Sequence, residues 1–151
     1  MGLEKVSFLD TFETLSDGVL TLRLTEQNPG DAVQLPYYYC DVFVQNRECA
    51  GKISIRVGEN RDSYWNGHIG YEIDTPHRGH GYARRACQLV LPVARAHGMR
   101  RVIFTCAQSN AASRRTIETL GAALLEIAAV PENCFFWREG MERYCVYQLA
   151  I

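Results

Sequence analysis

The sequence predicts one α+β or α/β domain over residues 1–151, with a mixed, mainly antiparallel sheet flanked by helices. Three observations predict it. Apolar and polar residues alternate in short runs between residues 19 and 74, the period of strands. From Gly81 the apolar steps lengthen to three and four, the period of a helix. A continuous apolar run, R-V-I-F-T-C-A at residues 101–107, then separates that helix from a second, as a central strand would.

Taken in order, residues 1–18 are weakly patterned, and residues 19–25 (V-L-T-L-R-L-T) form the first clear strand. Asn28-Pro29-Gly30-Asp31 is a turn. Residues 37–45 are aromatic and β-branched, a second strand, with a hairpin turn at 46–49. Residues 51–57 (G-K-I-S-I-R-V) alternate again, and 58–67 form a polar connection. Residues 68–74 (H-I-G-Y-E-I-D) complete an antiparallel meander, closed by Pro76.

In the first helix Tyr82, Ala83, Ala86, Leu89, Val90, Val93 and Ala94 share one face, with Arg84, Arg85, Gln88 and Arg95 opposite. Gly98 supplies its left-handed end. Pro92 is expected to kink it, because it has no N–H for the Gln88 carbonyl. Ser109 or Asn110 caps a second helix that stops at Gly121. Residues 122–130 and 144–151 are the last strands, joined by an aromatic segment around Phe135-Phe136-Trp137-Arg138.

Composition narrows the function classes. Sixteen Lys and Arg against seventeen Asp and Glu leave a net charge of -1, so no global field draws nucleic acid or an anionic membrane. No apolar run reaches the roughly 18 residues of a membrane span. Residues 1–7 lack the basic start and apolar stretch of a secretory signal. Six scattered cysteines without a C-x-x-C pair, four of them in apolar runs, read as reduced core thiols, and the expected compartment is the cytoplasm. His68, His77, His80 and His97 lack metal-ligand spacing, so no metal is expected.

The chemistry concentrates in Pro76-His77-Arg78-Gly79-His80-Gly81-Tyr82-Ala83, between a strand and a helix. Free amides at a helix start, aligned with its dipole, favour an anion, and glycines let a phosphate approach the backbone. Arg78 and His80 add charge-assisted donors. The Gly-Lys-Ser/Thr of a nucleotide-binding P-loop is absent. Arg84 stands where a dinucleotide fold needs its third glycine.

A second segment, Asn110-Ala111-Ala112-Ser113 running to Leu120-Gly121, completes a pattern. Together the two segments resemble the GNAT superfamily of acyl-CoA N-acyltransferases, most of all its bacterial members. Arg78, Gly81 and Ala83 match its Arg/Gln-x-x-Gly-x-Gly/Ala turn, and Asn110, Ser113, Leu120 and Gly121 match its second signature. The likeness is detailed from residue 68 to 121 and looser over 19–151.

The resemblance implies a GNAT-like fold and an acetyl-CoA-dependent N-acetyltransferase. The strand ending at Asp74 and the strand at 101–107 would splay apart around the pantetheine arm. Main-chain groups of Ile73 would pair with that arm. The amides of Arg78, Gly79, His80, Gly81, Tyr82 and Ala83 would hold the pyrophosphate, and Asn110 and Ser113 would lie along the arm. A primary amine would attack the thioester directly, with a backbone N–H near Ile73 stabilising the oxyanion. Glu72 is the candidate base and His68 a second one.

Where many members carry a Tyr that protonates the thiolate, this chain has Ile117; Tyr144 and Cys106 are weaker candidates for that acid. Ala122 replaces the usual Phe after Leu-Gly, and the segment ahead of the meander, often part of an acceptor pocket, is short. The acceptor is a small-molecule or protein amine, which the residues do not select. Tyr37-Tyr38-Tyr39 is a candidate acceptor contact, residues 135–138 are candidates for an acceptor pocket or a dimer contact, and the final strands are candidates for pairing in a homodimer. Arg100-Arg101 and Arg114-Arg115 are solvated pairs or contacts for the ribose phosphate of coenzyme A. Two other functions fit the same residues: a non-catalytic acyl-CoA sensor, and an assembly subunit that binds no cofactor.

Overall fold

Alternation sets the first half of the chain. The computed structural model describes residues 14–151, so the weak patterning of residues 1–13 and the reading of residues 1–7 lie outside it. Strands β1 (Thr14–Ser16), β2 (Leu20–Asn28), β3 (Tyr37–Val44), β4 (Glu48–Arg56) and β5 (Ile69–Ile73) pair in sequence order into one antiparallel sheet. Gln45 and Asn46 turn the β3–β4 hairpin at φ 51° and 59°, the left-handed pair that matches strand twist. Gly51 faces Ile73, where an added Cβ would run into the Glu72 carbonyl oxygen, so a glycine is required for the two strands to meet.

The polar connection after β4 holds one helical turn, α1 (Ser63–Asn66), which its lack of apolar periodicity hid. Helix α2 (Tyr82–Ala96) leaves β5 through a short 3-10 turn at Thr75–His77 and crosses to β6 (Arg101–Ala107). It continues through Pro92, whose ring lies on the exposed side. Helix α3 (Ala111–Thr119), β7 (Ala123–Ala128) and β8 (Tyr144–Ala150) follow.

The single mixed sheet expected from the element order is divided. Strands β6, β8 and β7 form a separate three-stranded antiparallel sheet, with β8 in the middle. Ala86, Cys87, Val90, Val93 and Ala94 of α2 and Ile117 of α3 pack with both sheets into one core. All six cysteines are free, and all but Cys49 are buried. Among the described residues no helix is long and apolar enough to cross a membrane.

His68 fastens the two sheets. Its backbone N–H donates to the Ile103 carbonyl at 2.7 Å, and its Nδ1 accepts from the Ile103 N–H at 2.8 Å. Its Nε2 donates to the Gly58 carbonyl at 2.8 Å, which fixes the tautomer. The ring is fully buried, and that burial lowers its pKa below the ordinary 6.5.

Removing the ring strands two backbone groups in the interior. His68→Ala is therefore expected to cost about 3 kcal/mol in urea unfolding. The unfolded chain protonates first, so His68 adds stability that is complete above pH 6.5 and is lost as pH falls below it. The same titrations between pH 7.5 and 5 should show a weaker pH slope in the variant than in the parent.

Candidate active site

The site begins with an unpaired edge. Arg56 donates its N–H to the His68 carbonyl, and Asp74 donates its N–H to the Ala50 carbonyl. In an antiparallel ladder this assigns the main-chain groups of Gly70 and Glu72 to β4 and turns those of Tyr71 and Ile73 outward. Beyond the His68 fastening, β5 and β6 share no ladder, so those groups face a gap. The Ile73 carbonyl in that gap accepts from Arg78 Nε at 2.9 Å, which leaves its N–H.

At the far end of β5 the chain forms the cradle. Gly79 and Gly81 adopt φ 85° and 73°, and an added Cβ on either meets no atom within 4 Å, so the concavity is open. Gly81 caps α2, and no side-chain hydrogen bond caps that helix start. Its first amides remain free to bind an anion. His80 stacks on Tyr82 with ring centroids 5.2 Å apart. The concavity, the free amides and the basic residues fit a pyrophosphate.

The catalytic candidates fall on two faces. Ile69, Tyr71 and Ile73 point toward the helices, whereas Gly70 and Glu72 point to the opposite face of the sheet, where both are exposed. His68 does not join Glu72 there: both its ring nitrogens are held by backbone groups in the interior. Tyr144 is half-buried at the start of β8, its ring 6.0 Å from that of Phe136. Its neighbours Cys145 and Tyr147 belong to the face of α3, where Tyr147 bonds Glu118 and Arg114. Alternation therefore puts Tyr144 on the same outer face as Glu72. Cys106 is buried toward α3, and burial pushes its thiol up to about 11.

Asn110 caps α3 by accepting the Ser113 N–H at 3.1 Å through its Oδ1, so the cap does not use its amide NH2. Ser109 instead bonds Glu142 through both its N–H and its hydroxyl, each at 2.7 Å. Ile117 is buried in the core.

One polar group of the gap escaped the sequence reading. Tyr71 Oη lies 2.9 Å from Ser113 Oγ, joining β5 to α3 across the opening. Burial pushes the Tyr71 phenol up to about 12, so it stays protonated at working pH. The signal was available: a tyrosine at a core-facing strand position needs a partner for its hydroxyl. Among the described residues no three His, Cys, Asp or Glu side chains gather to hold a metal.

Comparison with known proteins agrees with this geometry. The acetyltransferase (GNAT) domain model matches residues 12–123. No curated protein matches the chain. An acetyl transferase from Salmonella typhimurium, which modifies the N-terminal serine of the 50S ribosomal subunit protein L7/L12, has TM-score 0.60 and 23% identity, over 76% of this chain and 64% of its own. The Microcin C7 self immunity acetyltransferase MccE, solved with acetyl-CoA and AMP, has TM-score 0.58 and 18% identity, over 76% and 61%. A Vibrio cholerae protein assigned as a ribosomal-protein-serine acetyltransferase has TM-score 0.66 and 17% identity, over 91% and 97%. This chain spans less than two thirds of the first two, and identities this low establish the fold alone. The family match takes in every strand of the first sheet, the cradle, β6 and α3, and the chain belongs to the GNAT acetyltransferase family.

Proposed function

We propose that the chain transfers an acetyl group from acetyl-CoA to a primary amine by direct attack on the thioester. The observation that carries this reading is the unpaired edge of β5 leading to an open glycine cradle. The amides of residues 79–83 hold the pyrophosphate; the Arg78 N–H, expected to join them, already donates to the Thr75 carbonyl at 3.2 Å. The main chain of Tyr71 and Ile73 and the Asn110 amide hold the arm. An N–H on that edge stabilises the oxyanion, since a fixed amide dipole needs no reorganisation as charge develops.

Glu72 stands on the exposed face beside the gap and takes the proton of the attacking amine, directly or through water. Tyr71 and Ser113 offer the departing sulfur hydroxyl donors in place of Ile117. A thiol of pKa near 8.5 then leaves without full proton transfer. His68, with both nitrogens engaged, serves the scaffold. The named activities of the structural neighbours favour a peptide or protein amine as acceptor.

Gly81→Val is expected to keep the fold and to weaken coenzyme A affinity at least tenfold by calorimetry. The branched side chain would fill the cradle and is strained at positive φ. Unchanged affinity removes the cradle from the site.

Glu72→Gln should lower kcat/KM by about 10²-fold. That deficit should shrink as pH rises toward the acceptor amine's own pKa, where free amine no longer needs a base. A pH–rate profile that matches the parent at every pH takes Glu72 out of the mechanism.

A further inference from the structure

The outer face of the five-stranded sheet holds a cation that, among the described residues, no carboxylate pairs with. Lys52, Ser54 and Arg56 alternate along β4 with the core residues Ile53, Ile55 and Val57, so they share the face of Gly70 and Glu72. Arg56 is half-buried and lines a shallow, open depression with Leu35, Asn60, Asp62, Asn66 and Phe135. Its one hydrogen bond there runs from Nη1 to the Gly67 carbonyl at 3.5 Å.

The nearby acids are engaged elsewhere. Glu59 takes Arg101 at 2.7 Å, Asp62 takes Arg61 at 3.5 Å, and Glu26 accepts from the Tyr37 hydroxyl at 3.4 Å. Tyr37 faces Arg56 across the ladder, and Tyr39 faces Ser54. Burial without a counter-ion lowers the Arg56 pKa, the state that an incoming carboxylate relieves.

Arg56 and Glu72 lie on adjacent strands of this face. Arg56 is level with His68, and four residues of β5 separate that level from Glu72, about 13 Å of strand. Gly70, between them, presents no side chain, and Ser54 lies against it. That length equals about four extended residues.

We infer that the outer sheet face binds an extended, peptide-like acceptor whose amine sits at Glu72 and whose carboxylate, about four residues away, pairs with Arg56. The guanidinium fork matches a carboxylate in two parallel hydrogen bonds, and the sheet face between the two charges accepts an extended chain. This assignment rests on the acetyl-transfer reading for the role of Glu72, and on the sheet geometry alone for Arg56.

The test is a binding measurement that needs no turnover. Tetra-alanine and tetra-alanine amide are titrated calorimetrically into the full chain saturated with coenzyme A. The free acid should bind about tenfold tighter than the amide. In Arg56→Gln the acid should fall to the affinity of the amide. Arg56→Lys, which keeps the charge without the fork, should retain part of the difference and replaces the Gln variant if that one fails to fold. Equal affinities in the parent, no binding of either peptide, or a preference that survives Arg56→Gln overturns the inference. A preference for the acid with no acetyl transfer on adding acetyl-CoA upholds the Arg56 site and overturns the acetyltransferase reading instead.

Discussion

The structure depends on how β5 meets β6. His68 ties the start of β5 to β6 through its backbone N–H and Nδ1, its Nε2 is anchored on the Gly58 carbonyl, and no ladder bond joins the two strands further on. A continuous sheet would satisfy every backbone group between these strands and leave no site. A complete separation would expose the core beneath. One buried ring, with two hydrogen bonds, holds the intermediate geometry. The cost is a row of polar groups on β5 that an inserted extended chain can satisfy.

The two halves of the fold meet the resulting gap differently. On the helical side Tyr71 and Ser113 close it with a hydroxyl pair above Cys106 and Ile117, so that wall is polar at its rim and apolar beneath. On the outer side the sheet carries Glu72, Ser54 and Arg56 around the side-chain-free Gly70. The connection from β2 to β3 spans only residues 29–36, so no helix formed there covers that face. In the proposed function this polar face is where the acceptor lies.

Much of this was legible in the residues. Strict alternation revealed the meander, and the change of period at Gly81 revealed α2, because both patterns report burial on one face. The cradle was legible because helix starts and glycines bind anions for reasons independent of ancestry. Four features were not. The one-turn helix α1 carries no apolar period. The split of the sheet depends on which strand edges fail to pair, and side-chain patterns do not encode edges. His68 shares the parity of Glu72, which suggested a shared face, yet it precedes β5 and is buried under the Gly58 carbonyl. Arg56 closed an alternating run and gave no sign of lacking an acid, since its neighbours' pairings are set by tertiary contacts.

Amide hydrogen exchange, read residue by residue with and without acetyl-CoA, addresses the central claim most directly. Slowed exchange is expected at Tyr71 and Ile73 and at the amides of residues 79–83, with Glu72 unchanged because its N–H is already committed to β4, and no such protection from ATP in the gap. Protection confined to the cradle, or none at Tyr71 and Ile73, would show that the open edge of β5 does not receive the coenzyme arm and would contradict the account.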